Sequence, residues 1–291
     1  MYNESIQQRG VIMYPITQKT ILTPSVSQLD IHAPLVIRHA KPGQFVMLRV
    51  TQDGERIPLT IAGINHITES VSVIFQVVGA TTFELNQLNV GDHIHDIAGP
   101  LGKPTELSGL KKVCIIGGGV GCAIAYPIAK ALYEQGTDVH TIIGFRNKSL
   151  IFLESEFSNI STTFHLLTDD GSSHLKGRVT DQLKIMLDQG FEFDEVIAIG
   201  PLLMMKSVSE LTKKYGIKTV VSMNPIMVDG TGMCGGCRVS VAGQMKFACV
   251  DGPEFDGHQV DFDAAILRNK MYQQEELESY QCEIKKAGET L

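Results

Sequence analysis

The stretch KKVCIIGGGVGCAIAYPIAKALYEQGTDVHTIIGFR, Lys111 to Arg146, reads as strand, glycine-rich turn, helix and strand. Val113-Cys114-Ile115-Ile116 is a continuous apolar run, as in a strand covered on both faces. AIAYPIAKALYEQG then has helical spacing and stops at Gly136, and DVHTIIGFR has the pattern of a second strand. Such a βαβ unit places its glycines where a backbone can approach a pyrophosphate, at a helix N-terminus that favours the charge. Gly117, Gly118, Gly119 and Gly121 are therefore candidate dinucleotide-binding residues. Their order is G-G-G-x-G, not G-x-G-x-x-G, and the second strand ends in Arg146 where an acid is usual. Arg146 suits an adenosine 2′-phosphate as readily as an ion pair with Glu154 or Glu156, so NAD(H) and NADP(H) both stay open.

Downstream, strands TFHLLTD and EVIAIG alternate with helices SLIFLESEF and GRVTDQLKIML, which continues an α/β parallel sheet. Asp170, in the turn Thr168 to Ser172, and Gly200, before Pro201, fall at C-terminal strand edges, where open α/β sheets bind ligands. Cys114 and Cys122 read as small core residues.

Upstream, the residues up to about Pro104 read as a small β-barrel of short Val-, Ile-, Thr- and Phe-rich strands. Two segments of it carry chemistry. One is Glu55-Arg56-Ile57-Pro58-Leu59-Thr60-Ile61. The other is Gly79-Ala80-Thr81-Thr82, where a glycine and two hydroxyls open a helix, a ready phosphate site. Arg56 and that helix N-terminus are placed to hold two phosphates between them.

The C-terminal third holds VDGTGMCGGCRVSVAGQMKFACVD, Val228 to Asp251, with three of the six cysteines. Cys234 and Cys237 have the two-residue gap that presents two thiolates from one loop, and Cys249 follows a short hairpin turning at Ala242-Gly243. Plant-type iron–sulfur spacing puts a first ligand five positions before Cys234, which here is Asp229. A 2Fe-2S site of Asp229, Cys234, Cys237 and Cys249 fits this register; a zinc site of the same four residues and plain reduced cysteines are the competing readings.

Size and composition bound the rest. With 291 residues the chain has room for two domains and a small module, and a net charge of −7 gives no footprint for nucleic acid. No apolar run approaches the roughly 20 residues that span a bilayer. No signal peptide is visible, and few, clustered cysteines suit a cytoplasmic setting. The nine histidines are scattered, and none is assigned a catalytic role.

Barrel, nucleotide fold and cysteine loop in this order resemble the ferredoxin–NADP reductase superfamily. Within it, NPIMVDGTGMCGGCRV and FACVDGPEFDGH resemble the electron-transfer subunits of dihydroorotate dehydrogenase. Asp229 at the first ligand position points to the branch of small subunits of NADH-dependent ferredoxin:NADP oxidoreductases. The resemblance implies a β-barrel FAD domain over residues 1–105, an NAD(P)-binding α/β domain over 106–222, a 2Fe-2S module over 223–262 and a helical tail over 263–291. It places Arg56, Pro58, Leu59 and Thr60 at the flavin, with Thr60 beside flavin N5 as the catalytic position and Leu59 where an aromatic residue is usual. Gly79, Thr81 and Thr82 would take the FAD pyrophosphate, and Gly99 and Gly102 match a further family loop. A larger flavoprotein subunit with FAD and 4Fe-4S clusters, passing electrons to ferredoxin in a bifurcating complex, is the implied partner, with NAD(H) on this subunit. Electron-transfer subunits for dihydroorotate dehydrogenase, a hydrogenase or a sulfur reductase, and a non-catalytic zinc-stabilised interaction module, are the alternatives.

Overall fold

The structure is a computed structural model that describes residues 13–288. The first part is a seven-stranded antiparallel sheet. Its strands are β1 (Tyr14–Thr23), β2 (Val26–His32), β3 (Phe45–Arg49), β4 (Arg56–Asn65), β5 (Ser70–Gln76), β6 (His93–Ile94) and β7 (Asp96–Leu101). The order is β6-β1-β2-β5-β4-β3-β7, so the two end strands are neighbours in sequence and the sheet curls round on itself. Short helices α1 (Pro34–Ile37) and α2 (Ala80–Gln87) fill its connections.

The second part is doubly wound. It comprises β8 (Lys112–Gly118), α3 (Gly121–Glu134), β9 (Asp138–Phe145), α4 (Glu154–Ile160), β10 (Thr163–Thr168), β11 (Leu175–Lys176), α5 (Val179–Asp188), β12 (Glu195–Ile199), α6 (Leu202–Tyr215) and β13 (Thr219–Ser222). The strands of this part are parallel, in the order β11-β10-β9-β8-β12-β13. SLIFLESEF divides into a 3-10 turn at Lys148–Leu150 and the short α4. Cys114 and Cys122 are fully buried in the sheet and the first helix, and burial raises both thiol pKa values.

The cysteine loop leads to a hairpin of β14 (Arg238–Val241) and β15 (Gln244–Phe247), then α7 (Ala248–Asp251), which carries Cys249. Ala242 and Gly243 turn the hairpin with φ of 52° and 73°, the geometry a two-residue hairpin requires. Next, β16 (Glu254–Asp256) pairs antiparallel with β13 and extends the parallel sheet, so the cysteine-bearing segment is sewn into that sheet's edge. After it come α8 (Phe262–Arg268) and α9 (Gln273–Lys286). The single tail helix expected from sequence is thus two helices, docked in different places. Helix α8 packs on α6, tied by Lys206 to Asp263 at 2.7 Å, and α9 returns to the barrel to pack on α2.

Strand β3 explains how the parts meet. All five of its residues but Arg49 are buried. Val46 and Leu48 face the barrel core, while Phe45 and Met47 enter a second core with Val196, Val221, Cys237 and Cys249. Val26 and Ile74 of the barrel likewise pack with Cys122 and Ala123 of α3. Among the described residues, no helix is long and apolar enough to cross a membrane.

Candidate functional site

Strand β4 lies against β3 with Thr60 opposite Phe45, Pro58 opposite Met47 and Leu59 opposite Val46. Side chains alternate across a strand, so Arg56, Pro58 and Thr60 share the outer face, on the side of Phe45 and Met47. Leu59 points the other way and packs with the barrel core. At the position where an aromatic residue is usual, Leu59 is thus turned inward by the two-residue period of the strand, off the face shared by Arg56, Pro58 and Thr60. Arg56 donates to Asp96 at 2.7 Å, and Arg49 lies 3.8 Å from the same carboxylate.

The Gly79 loop enters α2 as expected. A Cβ on Gly79 would meet nothing within 4 Å, so the backbone there is open to a ligand. The Thr82 hydroxyl, however, is spent inside the loop. It accepts from the N–H groups of Val78 at 3.1 Å and Gly79 at 3.0 Å, and donates to the Gly79 carbonyl at 2.9 Å. Thr82 thus caps its own helix, and what the turn presents outward is backbone and Thr81. The far end of α2 is held by Lys19, which donates to the carbonyls of Asn86 and, at 2.8 Å, Leu88. Its flank is held by α9, where Tyr280 meets Phe83 edge-on at 5.9 Å.

The glycines of the nucleotide domain divide by function. A Cβ on Gly121 would lie 2.4 Å from the Ile199 carbonyl, one on Gly118 2.4 Å from Met204 Sδ, one on Gly117 2.8 Å from Cys122 Sγ and one on Gly200 3.0 Å from Gly118. These four let the turn close against the neighbouring strand end. Gly119 differs: its φ is +53° and a Cβ there would meet nothing within 4 Å. It faces open space at the C-terminal strand edge. Gly99 and Gly102 are also packing positions, a Cβ lying 2.8 Å from Val46 in the first case and 2.9 Å from Phe45 and Pro253 in the second.

Arg146 and Asp170 come together at that same edge, where the Asp170 N–H meets the Arg146 carbonyl at 3.3 Å. Glu154, one candidate partner of Arg146, is engaged by His174 at 2.8 Å. The Asp170 carboxylate accepts from the Ser172 N–H at 2.9 Å, and hydrogen bonds from Ser172 hold its pKa below the usual range.

The cysteine loop is turned by glycines with positive φ at Gly230, Gly232 and Gly235. Cys237 and Cys249 are buried with their sulfurs 3.2 Å apart, and burial followed by the neighbouring Cys237 pushes the Cys249 thiol up to about 12. Cys234 is exposed, and the Gly236 N–H, 3.4 Å from its sulfur, lowers its pKa. Backbone N–H groups of Asp229 and Val228 add to that lowering. Asp229 Oδ2 accepts from the Thr231 N–H at 2.9 Å, the Thr231 hydroxyl and the Met233 N–H at 3.3 Å; chiefly through Thr231, with Arg56 contributing, its pKa is depressed. Among the described residues, no donor reaches its Oδ1. The loop rests on the barrel: a Cβ on Gly230 would lie 2.5 Å from Met47 and 3.0 Å from Leu101.

Of the four candidate ligands, Cys237 and Cys249 form a close sulfur pair, while Cys234 and Asp229 lie on the loop that leads into it. Among the described residues, no group of three or more His, Cys, Asp or Glu side chains is already arranged to hold a metal ion. Three cysteine sulfurs and one carboxylate supply the four protein ligands that a two-iron cluster needs, which is how the donor set fits a cluster.

Residues 224–261 match the family described as the iron–sulfur cluster binding domain of dihydroorotate dehydrogenase B. The chain is 45% identical, over 97% of its length and 99% of the relative's, to a Thermotoga maritima protein described as a homolog of the dihydroorotate dehydrogenase B (NAD(+)) electron transfer subunit. It is 32% identical to the electron transfer subunit itself from Geobacillus thermodenitrificans, over 84% of this chain and 96% of that one. A solved structure of an NADH-dependent reduced ferredoxin–NADP oxidoreductase, reported for flavin-based electron bifurcation, superposes with a TM-score of 0.88 at 43% identity, covering 94% of this chain and 99% of that one.

Proposed function

This chain belongs to the family of electron-transfer subunits of dihydroorotate dehydrogenase B, and from that premise we propose that it is an iron–sulfur flavoprotein subunit of the bifurcating NADH-dependent ferredoxin:NADP oxidoreductase type. When bound, FAD would supply hydride exchange with NAD(H) and release of electrons one at a time to a 2Fe-2S cluster.

The chain's own residues have three tasks. Arg56, Pro58 and Thr60 present the outer face of β4 to the flavin, with Thr60 nearest the reacting edge. The open backbone at Gly79 and Thr81, at a helix N-terminus, takes the FAD pyrophosphate, and the open turn at Gly119 takes that of the nicotinamide nucleotide. Asp229, through Oδ1, together with Cys234, Cys237 and Cys249 would hold the cluster. An ionised Asp170 beside Arg146 disfavours a 2′-phosphate, which supports NAD(H) over NADP(H). The observation that carries the reading is the seat of the Gly230 turn on Met47 and Leu101. It sets the cluster loop on the outer wall of the barrel, on the face shared by Arg56 and Thr60. A larger flavoprotein subunit receives the electrons. In support, Cys234 is exposed, beside Met233 and Val228 at 87% and 60% exposure.

Anaerobically purified protein analysed for flavin, iron and zinc, then titrated with NADH and NADPH, tests this. One FAD and two irons per chain, with bleaching by NADH ahead of NADPH, are expected. Zinc without flavin would sink the proposal.

A further inference from the structure

Three successive carbonyls of the cysteine loop are each held by a donor. Arg238 Nη1 donates to Gly235 at 2.8 Å, Arg268 Nη2 to Gly236 at 3.0 Å, and the Ala248 N–H to Cys237 at 3.0 Å. Two backbone N–H groups of this segment point at ligand sulfurs. The Gly236 N–H lies 3.4 Å from Cys234 Sγ, and the Cys249 N–H 3.5 Å from Cys237 Sγ.

The first of these contacts has a particular chemistry. The Gly235 carbonyl and the Gly236 N–H belong to one peptide group. Gly235 has a φ of +66°, in the region that favours glycine, and the peptide that follows it has its oxygen on Arg238 and its N–H on Cys234. A guanidinium on the oxygen withdraws electron density from the peptide and makes its N–H a stronger donor, the mutual polarisation of hydrogen bonds in series. Hydrogen bonds to ligand sulfurs are one of the means by which a protein sets a cluster's reduction potential.

We propose that Arg238 tunes the cluster from outside its ligand set, acting on the Cys234 sulfur through the Gly235–Gly236 peptide. It is a positioning residue: it touches neither sulfur nor substrate. The inference rests on the iron–sulfur reading above. A more strongly donated N–H stabilises the reduced, more negative centre, so Arg238 raises the potential. Arg238 is exposed, so its bare charge is screened by salt, whereas the peptide hydrogen bond is short-range and is not.

The test uses anaerobically purified full-length wild type, R238M and R238Q, with iron content and the cluster potential read by spectroscopic redox titration at low and high salt. R238M is expected to keep its iron and to show a reduced-to-oxidised ratio at fixed potential lowered about three- to tenfold, about 59 mV at the upper end for a one-electron centre. R238Q, a neutral donor, should fall between the two, and the shift should persist at high salt. An unshifted potential in an iron-loaded R238M overturns the proposal, as does a shift that salt abolishes. If R238M fails to hold iron, R238Q decides, and a wild-type potential there is equally fatal. Wild-type protein without iron would defeat the cluster reading itself.

Discussion

Glycine is where the chain most sharply separates folding from function. Gly121 and Gly119 stand two positions apart in one turn, yet the space around them is opposite. A methyl group at Gly121 would strike a backbone carbonyl that cannot move without shifting β12. The variant G121A should therefore lose about 3 kcal/mol or fail to fold, as overpacking at a rigid site does. At Gly119 the methyl would enter open space. The cost to stability of G119A is the left-handed backbone alone, about 1–2 kcal/mol. Its cost to NADH binding should be larger than to flavin binding, since the methyl occupies the approach to that turn. Thermal denaturation alongside NADH and flavin titrations of both variants checks this. Equal losses of NADH affinity and stability in G119A would show that Gly119, like its neighbours, serves packing.

Elements whose pattern is local were legible from sequence. The βαβ unit, the hairpin at Ala242-Gly243 and the helix opening at Gly79 all announce themselves by period and turn chemistry. The inward turn of Leu59 is legible too, in the alternation of Ile57, Leu59 and Ile61 with Arg56, Pro58 and Thr60. What was hidden depends on remote partners. Three residues of β16 become a strand because β13 has a free edge, and no local pattern carries that. The tail breaks at residues 269–272 without Gly or Pro, because α8 is anchored on α6 and α9 on α2. Helix α9 is polar over most of its length and buries Ile284, with Tyr280 against Phe83. Its position gives it a consequence for the flavin, since α2 is the helix whose N-terminus is proposed to take the FAD pyrophosphate. Y280A should destabilise the packing by about 1–2 kcal/mol, for an aromatic pair and its partly buried area. FAD should dissociate faster from it, while iron content stays at the wild-type level. Flavin fluorescence after dilution, with iron analysis on the same sample, measures both. Unchanged FAD release would make α9 a decoration of the barrel.

Across the whole molecule, the barrel, the nucleotide sheet and the cluster segment meet at one carboxyl group. Glu254, on β16, accepts from the Thr105 hydroxyl at 2.7 Å, and Thr105 in turn donates its N–H to Pro42 of the barrel at 2.9 Å. Lys103 binds the Gly252 carbonyl, so the inter-domain linker and the cluster segment are pinned on both sides of this point. Burial pushes the Glu254 pKa up from 4.5 to about 7, against the Thr105 hydrogen bond, with Glu195 on β12 adding repulsion. Lys218 is paired with Glu195. The unfolded chain releases the Glu254 proton above about 4.5 and the folded chain only near 7. Between those values the unfolded state binds fewer protons, so stability declines as pH rises, and above 7 the loss levels off. Its size is about 3 kcal/mol at most, from a shift of roughly two and a half pH units. In E254Q the amide oxygen keeps the Thr105 hydrogen bond and nothing ionises. Denaturation of the full-length protein should therefore show E254Q close to wild type at pH 5 and more stable than it at pH 8. Parallel stability profiles from pH 5 to 8 would mean that the junction hydrates Glu254 and that its proton is not coupled to the assembly of the three parts.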